Sequence, residues 1–222
     1  APVGGPRGYN YNLWNSLKKS GVVDIEYIDT DEKDLRNEVN KVVNRIKMPR
    51  IRNVLSICKS IVNRMLIIYG KSKKPCVSLD RYDMVHFHNP LDMYMIRDSL
   101  SDYKGKLLLT SNSPVLSSDE LIDTASEFEK KYLIRIYKQL KKVDIYAFER
   151  ADHIIFPCQE AEEPYYHSWD YYKEFKEKNR KKYKYLLTGI EQCKPNTDRR
   201  KIREIYGIPD EAFVISYVGR HN

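Results

Sequence analysis

The segment Asp83-Met84-Val85-His86-Phe87-His88-Asn89-Pro90 contains the pattern of a strand, a turn and the start of a helix in direct succession. Residues 84–88 form a short run rich in β-branched and aromatic side chains, which is typical of a β-strand. The pair Asn89-Pro90 favours a turn that opens into a helix, because proline is well tolerated in the first helical turn. The segment therefore predicts a strand that ends at His88 and is followed at once by a helix.

The same alternation of short β-like runs and helical stretches extends over most of the chain. The other strand candidates are residues 22–28, 107–110, 153–156, 185–187 and 214–218. The helix candidates are residues 10–19, 91–103, 120–149, 161–182 and 199–206. This order predicts an α/β fold, a Rossmann-like parallel sheet with helices on both faces.

Composition limits the class of protein. The chain has 222 residues, a net charge of +8 and 41% hydrophobic residues, which is typical of a globular domain. Its longest apolar run is far shorter than the roughly 20 residues of a spanning helix, and no signal peptide opens the sequence. The four cysteines, at positions 58, 76, 158 and 193, include no CxxC pair. These features exclude an integral membrane protein and predict a cytoplasmic chain with reduced thiols.

The positive charge is concentrated in residues 33–74. This segment has twelve basic and two acidic residues, a net charge of +10, and the rest of the chain has −2. Apolar residues recur there at helical spacing, and Pro49 interrupts the pattern. The members of the second apolar run are Ile51, Val54, Leu55, Cys58, Ile61, Val62, Met65, Leu66 and Tyr69.

This basic helical insertion, residues 31–74, has three interpretations. The first is a helical hairpin that buries its apolar stripe and exposes its charges to solvent. The second is a surface for anionic lipid headgroups or an anionic acceptor. The third, nucleic-acid binding, is disfavoured by the charge of −2 elsewhere and because aromatic residues are not interleaved with the basic side chains, Tyr69 being the one aromatic residue of the segment.

Polar residues cluster where predicted strands end, which is where α/β sheets bind ligands. His86 and His88 are two residues apart and point to the same side of the strand, so that one is expected to pack and the other to face a ligand. A metal site is disfavoured because no third ligand is evident. Thr110-Ser111-Asn112-Ser113 closes the next strand and suits either ligand contact or helix capping. Near the start, Gly4-Gly5-Pro6-Arg7-Gly8 leads into a helix, as in some anion-binding loops, although a plain tight turn is equally consistent.

Six motifs in order resemble the amino-terminal domain of the family 4 (group 1) retaining glycosyltransferases, which have the GT-B fold. The glycine pair, the D-x-V-H-x-H segment and the polar strand end are three of them. The other three are Ala151 to Pro157, Gly189-Ile190-Glu191 with Pro195, and Tyr217-Val218-Gly219-Arg220. The resemblance implies an acceptor-side domain over residues 1–212 and the start of a truncated donor-binding domain over residues 213–222.

The resemblance also implies partners and residue roles. The expected reaction is transfer of a sugar from a nucleotide-sugar donor to a glycan or lipid-linked acceptor, with retention and without a metal or other cofactor. Its donor-phosphate contacts would be Gly4, Gly5 and Arg220, a guanidinium being well suited to a diphosphate. Its acceptor contacts would be Arg7, Tyr9, His88 and Ser113. The chain alone, without a donor domain, is expected to be inactive.

Asn112 departs from the family pattern, which has histidine at this position in many members. Asparagine cannot act as a base, but it can exchange hydrogen bonds with a sugar, so Asn112 is predicted to be a positioning residue. A non-enzymatic glycan- or polyanion-binding module of the same fold is the alternative. Eight aromatic residues between 165 and 185 are expected to pack between helices with their hydroxyls at the surface, and sugar stacking is the less favoured alternative.

Overall fold

A computed structural model of the chain describes residues 5–28, 48–111, 113, 115–187 and 198–215. It contains a four-stranded, fully parallel sheet in the order β1-β2-β3-β4. The strands are β1 (Met84–Phe87), β2 (Lys106–Thr110), β3 (His153–Phe156) and β4 (Tyr183–Tyr185). Helices connect each strand to the next, which confirms the predicted α/β, Rossmann-like class.

Helices occupy most of the chain around the sheet. Two described helices precede it, α1 (Gly5–Ser20) and α2 (Pro49–Tyr69). Those between strands are α3 (Pro90–Met95), α4 (Arg97–Ser101), α5 (Ser117–Asp123), α6 (Glu127–Tyr137), α7 (Lys141–Arg150), α8 (Glu163–Ser168) and α9 (Tyr172–Lys178). After β4 comes α10 (Arg199–Tyr206). Among the described helices, none has the length and apolar character that crossing a bilayer requires.

Several predicted elements differ from the observed ones. Residues 22–28 were expected to form a strand but have no regular structure, and no described strand pairs with them. The long helix predicted over residues 120–149 is divided into three. Ser126 and Glu129 form a capping box that starts α6 afresh, and a 3-10 turn, Lys138–Leu140, separates α6 from α7. β4 begins at Tyr183, earlier than predicted. Val214 and Ile215 are not in a strand, and residues 216–218 lie outside the described residues.

The two faces of the sheet have different chemistry. Leu107, Leu109, Ile154 and Phe156 alternate along their strands toward one face, where they join a buried cluster around Phe148 of α7. The pairing register puts His86, Thr110 and Ile155 on the opposite face. The apolar face supplies the core, and the opposite face leaves polar groups at the carboxyl edge of the sheet.

Helix α2 confirms the predicted helix but not the predicted buried face. Most of the expected stripe, including Val54, Val62 and Leu66, is exposed, while Arg64 and Ile68 are buried. Ile68 packs with Tyr137, Leu140 and Ala125 from the region of α5 and α6. Arg64 forms an ion pair with Glu129, so the buried face is set by a polar contact that apolar periodicity did not include. The first half of the predicted hairpin lies outside the described residues.

The chain divides into two compact units, residues 1–188 and residues 189–222. In the second unit, Asp198 caps the start of α10, and Gly207, at a φ of 62°, ends it in the left-handed conformation that glycine adopts without strain. Arg203 donates to the carbonyls of Pro209, Asp210 and Ala212, which ties the following turn to the helix. The predicted domain boundary at residue 212 stays a prediction.

Candidate functional site

The candidate site lies at the carboxyl ends of β1 and β2. His86 is in β1 and His88 follows its last residue, and their rings lie with centroids 4.1 Å apart, which confirms that the two histidines share a side of the strand. His86 Nε2 and Thr110 Oγ1 are 2.7 Å apart, in a hydrogen bond whose donor depends on the histidine tautomer. Thr110 is the last residue of β2, so this bond joins the ends of two adjacent strands.

Burial keeps both histidines neutral near pH 7. Desolvation lowers the pKa of His86 from 6.5 to about 3, and the neighbouring charge that His88 would carry lowers it further in the same direction. Desolvation alone lowers the pKa of His88 to about 4. A neutral imidazole has one donor nitrogen and one acceptor nitrogen, so each ring can hydrogen-bond a neutral hydroxyl group.

Helix α1 contributes aromatic side chains to this edge of the sheet. The Tyr9 ring meets the His88 ring edge-to-face, with centroids 5.8 Å apart and planes at 76°. Desolvation raises the pKa of the Tyr9 hydroxyl, which therefore stays protonated. Further along α1, Trp14 contacts Tyr11 at 5.7 Å and Tyr27 at 6.2 Å between ring centroids. Helix α1 thus places the Tyr9 ring against His88, and Trp14 packs among tyrosines further along the helix.

Three buried polar atoms on α1 and at the end of β1 have no hydrogen-bond partner among the described residues. They are His88 Nδ1, Asn10 Oδ1 and Trp14 Nε1. Asn10 and Trp14 are four residues apart and share a face of α1. Buried polar atoms in native structures are almost always paired, and an unpaired one costs about 1–3 kcal/mol. A ligand hydroxyl group can hydrogen-bond such an atom, and at the end of β1 the atom that could take one is His88 Nδ1.

The structure places some of the predicted site residues and leaves others outside its description. His88 and Tyr9 are brought together as described above. Ser113 lies in the loop after β2, where its Oγ accepts from Val115 N at 3.4 Å. Gly5 is the first residue of α1, which begins earlier than predicted.

The remaining predicted site residues lie partly or wholly outside the described residues. Arg7 lies in α1, and its side chain is outside the described residues. Gly4, Asn112 and Arg220 lie entirely outside them. Their assigned roles therefore stay predictions.

Sequence reasoning missed two sets of buried polar contacts that involve the tyrosines between residues 165 and 185. Ser111, which follows β2, lies 2.7 Å from the Tyr165 hydroxyl through its Oγ, in a fully buried hydrogen bond. Glu162 is buried and accepts from the hydroxyls of Tyr172 and Tyr185 and from Lys176. The aromatic packing predicted for this part of the chain is confirmed, but the hydroxyls of Tyr165 and Tyr172 are buried rather than at the surface. The clustering of tyrosines near one glutamate was the available signal.

Within the described ranges, no group of three or more His, Cys, Asp or Glu side chains is arranged to hold a metal ion. In comparisons with known proteins, no family model, no curated protein and no solved structure matches the chain. The functional argument therefore depends on the residues themselves.

Proposed function

We propose that the chain is the acceptor-side domain of a retaining glycosyltransferase that uses a nucleotide-sugar donor and a glycan or lipid-linked acceptor. One observation carries the proposal: the half-buried, neutral His88 has a buried, unpaired Nδ1 at the carboxyl end of β1, and its ring lies against Tyr9. This histidine is the second of the D-x-V-H-x-H pattern on which the family resemblance was based. A nucleotide-sugar donor agrees with the cytoplasmic location expected from the sequence.

His88 and Tyr9 are suited to hold the acceptor. A sugar hydroxyl that hydrogen-bonds His88 Nδ1 would supply the hydrogen-bond partner that this buried nitrogen lacks. Tyr9 presents a ring against His88, and aromatic surfaces accommodate the apolar faces of sugars. His86, which is held by Thr110, packs behind His88 and acts as a positioning residue.

The transfer step balances without a protein base or a metal. The acceptor oxygen forms a bond to the anomeric carbon while the bond from that carbon to the diphosphate oxygen breaks. The nucleoside diphosphate leaves with the electron pair, and its phosphate takes the acceptor proton. In the proposal, backbone N–H groups near Gly5 and the Arg220 guanidinium stabilise the charge on the leaving group. Asn112 orients the acceptor through hydrogen bonds.

The second candidate is a glycan-binding module of the same fold that lacks catalysis. Asn112 favours it, because the position cannot supply a base. In both candidates His88 contacts a carbohydrate, so loss of binding in a His88 variant would not distinguish them. Sugar transfer distinguishes them, since only the enzyme consumes a donor.

The experiment measures sugar transfer from a panel of nucleotide sugars by the protein that contains these residues together with any donor domain. His88→Gln and Arg220→Ala are compared with the matched control His167→Gln, whose histidine is exposed on α8. We expect at least a tenfold loss of kcat/KM in the first two variants and no change in the control. Donor-independent glycan binding without transfer would favour the binding module, and equal activity of all variants would overturn the site.

A further inference from the structure

Helix α2 presents an exposed apolar surface along its length. The surface, called here the α2 stripe, consists of Ile51, Val54, Leu55, Cys58, Val62, Leu66 and Tyr69, all of which are exposed. These residues recur at intervals of three and four and therefore lie on one helical face. Val54 is 59% exposed and Leu66 is 58% exposed, although both would be expected inside a globular protein. Twenty-one residues of helix extend the surface over about 30 Å.

A buried polar contact fixes this orientation of α2. Arg64 Nη1 lies 3.3 Å from Glu129 Oε1, and the two side chains are 7% and 1% exposed. The other guanidinium nitrogens donate to the Leu121 carbonyl, at 2.9 Å and 2.6 Å, and to Thr124 Oγ1 at 3.0 Å. Rotating α2 to bury the stripe would separate this ion pair and expose Ile68. The sequence thus holds α2 with its apolar side outward.

Positive charge borders the α2 stripe. Helix α2 contains no acidic residue, and Arg50 and Arg52 are exposed in its first turn. Lys71 and Lys74, also exposed, follow its carboxyl end. An apolar face with basic side chains at both ends is complementary to a lipid surface, where acyl chains take the apolar groups and anionic headgroups take the charges.

We infer that α2 is a membrane-docking helix, which lies in the plane of a bilayer that contains anionic lipid and inserts the α2 stripe at the boundary between headgroups and acyl chains. The occupant is an anionic lipid surface. The basic composition of residues 33–74 raised this partner as one of three interpretations, and the outward stripe favours it. The inference does not depend on the proposed sugar transfer, because its measurements require no activity.

The first measurement is co-sedimentation of the whole chain with vesicles. We expect binding to phosphatidylcholine vesicles that contain phosphatidylglycerol, weaker binding to phosphatidylcholine alone, and a decrease with added salt. Arg52→Gln should weaken binding about fivefold, since one basic residue near such a surface contributes about 1 kcal/mol. Equal binding to both vesicle types, or to neither, overturns the inference.

Variants of the α2 stripe separate lipid docking from the other possible occupants. Val54→Glu with Val62→Glu should reduce vesicle binding at least tenfold and leave the thermal unfolding midpoint unchanged. The matched control is Ile205→Glu on α10, whose side chain is 64% exposed and which should bind normally. A marked fall in the midpoint would mean that this chain's own residues, such as Val39 to Ile46, cover the stripe. A dimer that the double variant dissociates would identify a second copy. Either result overturns lipid docking.

Cys58 allows a measurement without a disruptive variant. Its thiol is free and lies within the stripe. An environment-sensitive fluorophore on Cys58, with the other cysteines changed to serine, should shift to the blue on addition of anionic vesicles. The same label on the exposed Cys76, outside the stripe, serves as the control. An unshifted Cys58 label on sedimented protein would overturn insertion of the stripe.

Discussion

Two regions of the molecule bury polar groups in opposite ways. Beneath α2, the Arg64 and Glu129 side chains are charged, and their nitrogens and oxygens have partners on every side. At the end of β1, His86 and His88 are neutral, and His88 Nδ1 has no partner among the described residues. Both regions are buried, but only the first is saturated with hydrogen bonds.

The difference separates structural from functional burial. A cluster whose polar atoms are all hydrogen-bonded fixes the orientation of the elements it joins, because any movement of them breaks several hydrogen bonds at once. An unsaturated cluster costs folding free energy, and a protein that keeps one benefits from what binds there. By this criterion Arg64 and Glu129 hold α2 in place, whereas His88 keeps the unpaired nitrogen that the proposed ligand would use. Four measurements test this contrast.

The largest expected effect is on the ion pair beneath α2. Arg64→Ala should lower the free energy of unfolding by about 3–5 kcal/mol, because it leaves Glu129 buried and unpaired. Arg52→Ala, on the exposed side of the same helix, should change it by less than about 0.5 kcal/mol. Denaturation in urea measures both. Equal effects would show that Arg64 does not hold the helix.

The orientation of α2 gives the next largest effect. Ile68→Ala should cost about 2–4 kcal/mol, because Ile68 is buried against Tyr137 and Leu140. Leu66→Ala, two positions earlier on the exposed face, should cost less than about 1 kcal/mol. The same urea titrations measure the pair. A larger loss from Leu66 than from Ile68 would reverse the assigned orientation.

Acid should weaken the fold through the β1 histidines. Their folded pKa values, about 3 for His86 and about 4 for His88, lie below 6.5, so the unfolded chain binds protons first. Stability is therefore complete above pH 6.5 and falls as the pH decreases toward these values. We expect protonation of each histidine to lower the free energy of unfolding by roughly 2 kcal/mol between pH 7 and pH 4.5. His86→Gln should flatten this dependence, which urea denaturation at pH 7 and pH 4.5 measures.

The smallest effect distinguishes the two histidines from each other. His88→Phe removes an unpaired buried nitrogen and should leave the free energy of unfolding within about 1 kcal/mol of wild type. His86→Phe leaves Thr110 Oγ1 without its partner and should cost about 1–3 kcal/mol. Thermal unfolding at pH 7.5 compares them. A costly His88→Phe would mean that His88 has a structural role after all.

The sequence predicted the elements better than the contacts between them. The segment that ends at His88 has the pattern of a strand and a turn, and this local information is sufficient for β1 and α3. The contact of His88 with Tyr9 and the hydrogen bond between His86 and Thr110 depend on how distant segments meet, which periodicity does not encode. The shared side of the two histidines could be predicted because alternation along a strand is a local property.

Helix α2 shows why the rest could not be predicted. Most of its apolar residues lie on the exposed face rather than on the face that packs. A prediction from hydrophobic periodicity therefore chose the wrong face. The deciding partner, Glu129, is far away in sequence and lies within a capping box of its own helix. Glu162 was missed for a similar reason, because its burial depends on tyrosine hydroxyls from two later elements.

The strand order has a consequence for how the domain forms. Each described strand pairs with the strand nearest to it in sequence, β1 with β2, β2 with β3 and β3 with β4. No described pairing spans an intervening strand, so each crossover closes a shorter loop than a pairing between more distant strands would. The sheet can grow during synthesis by adding one strand at a time to an edge that already exists. Translation order and assembly order then coincide.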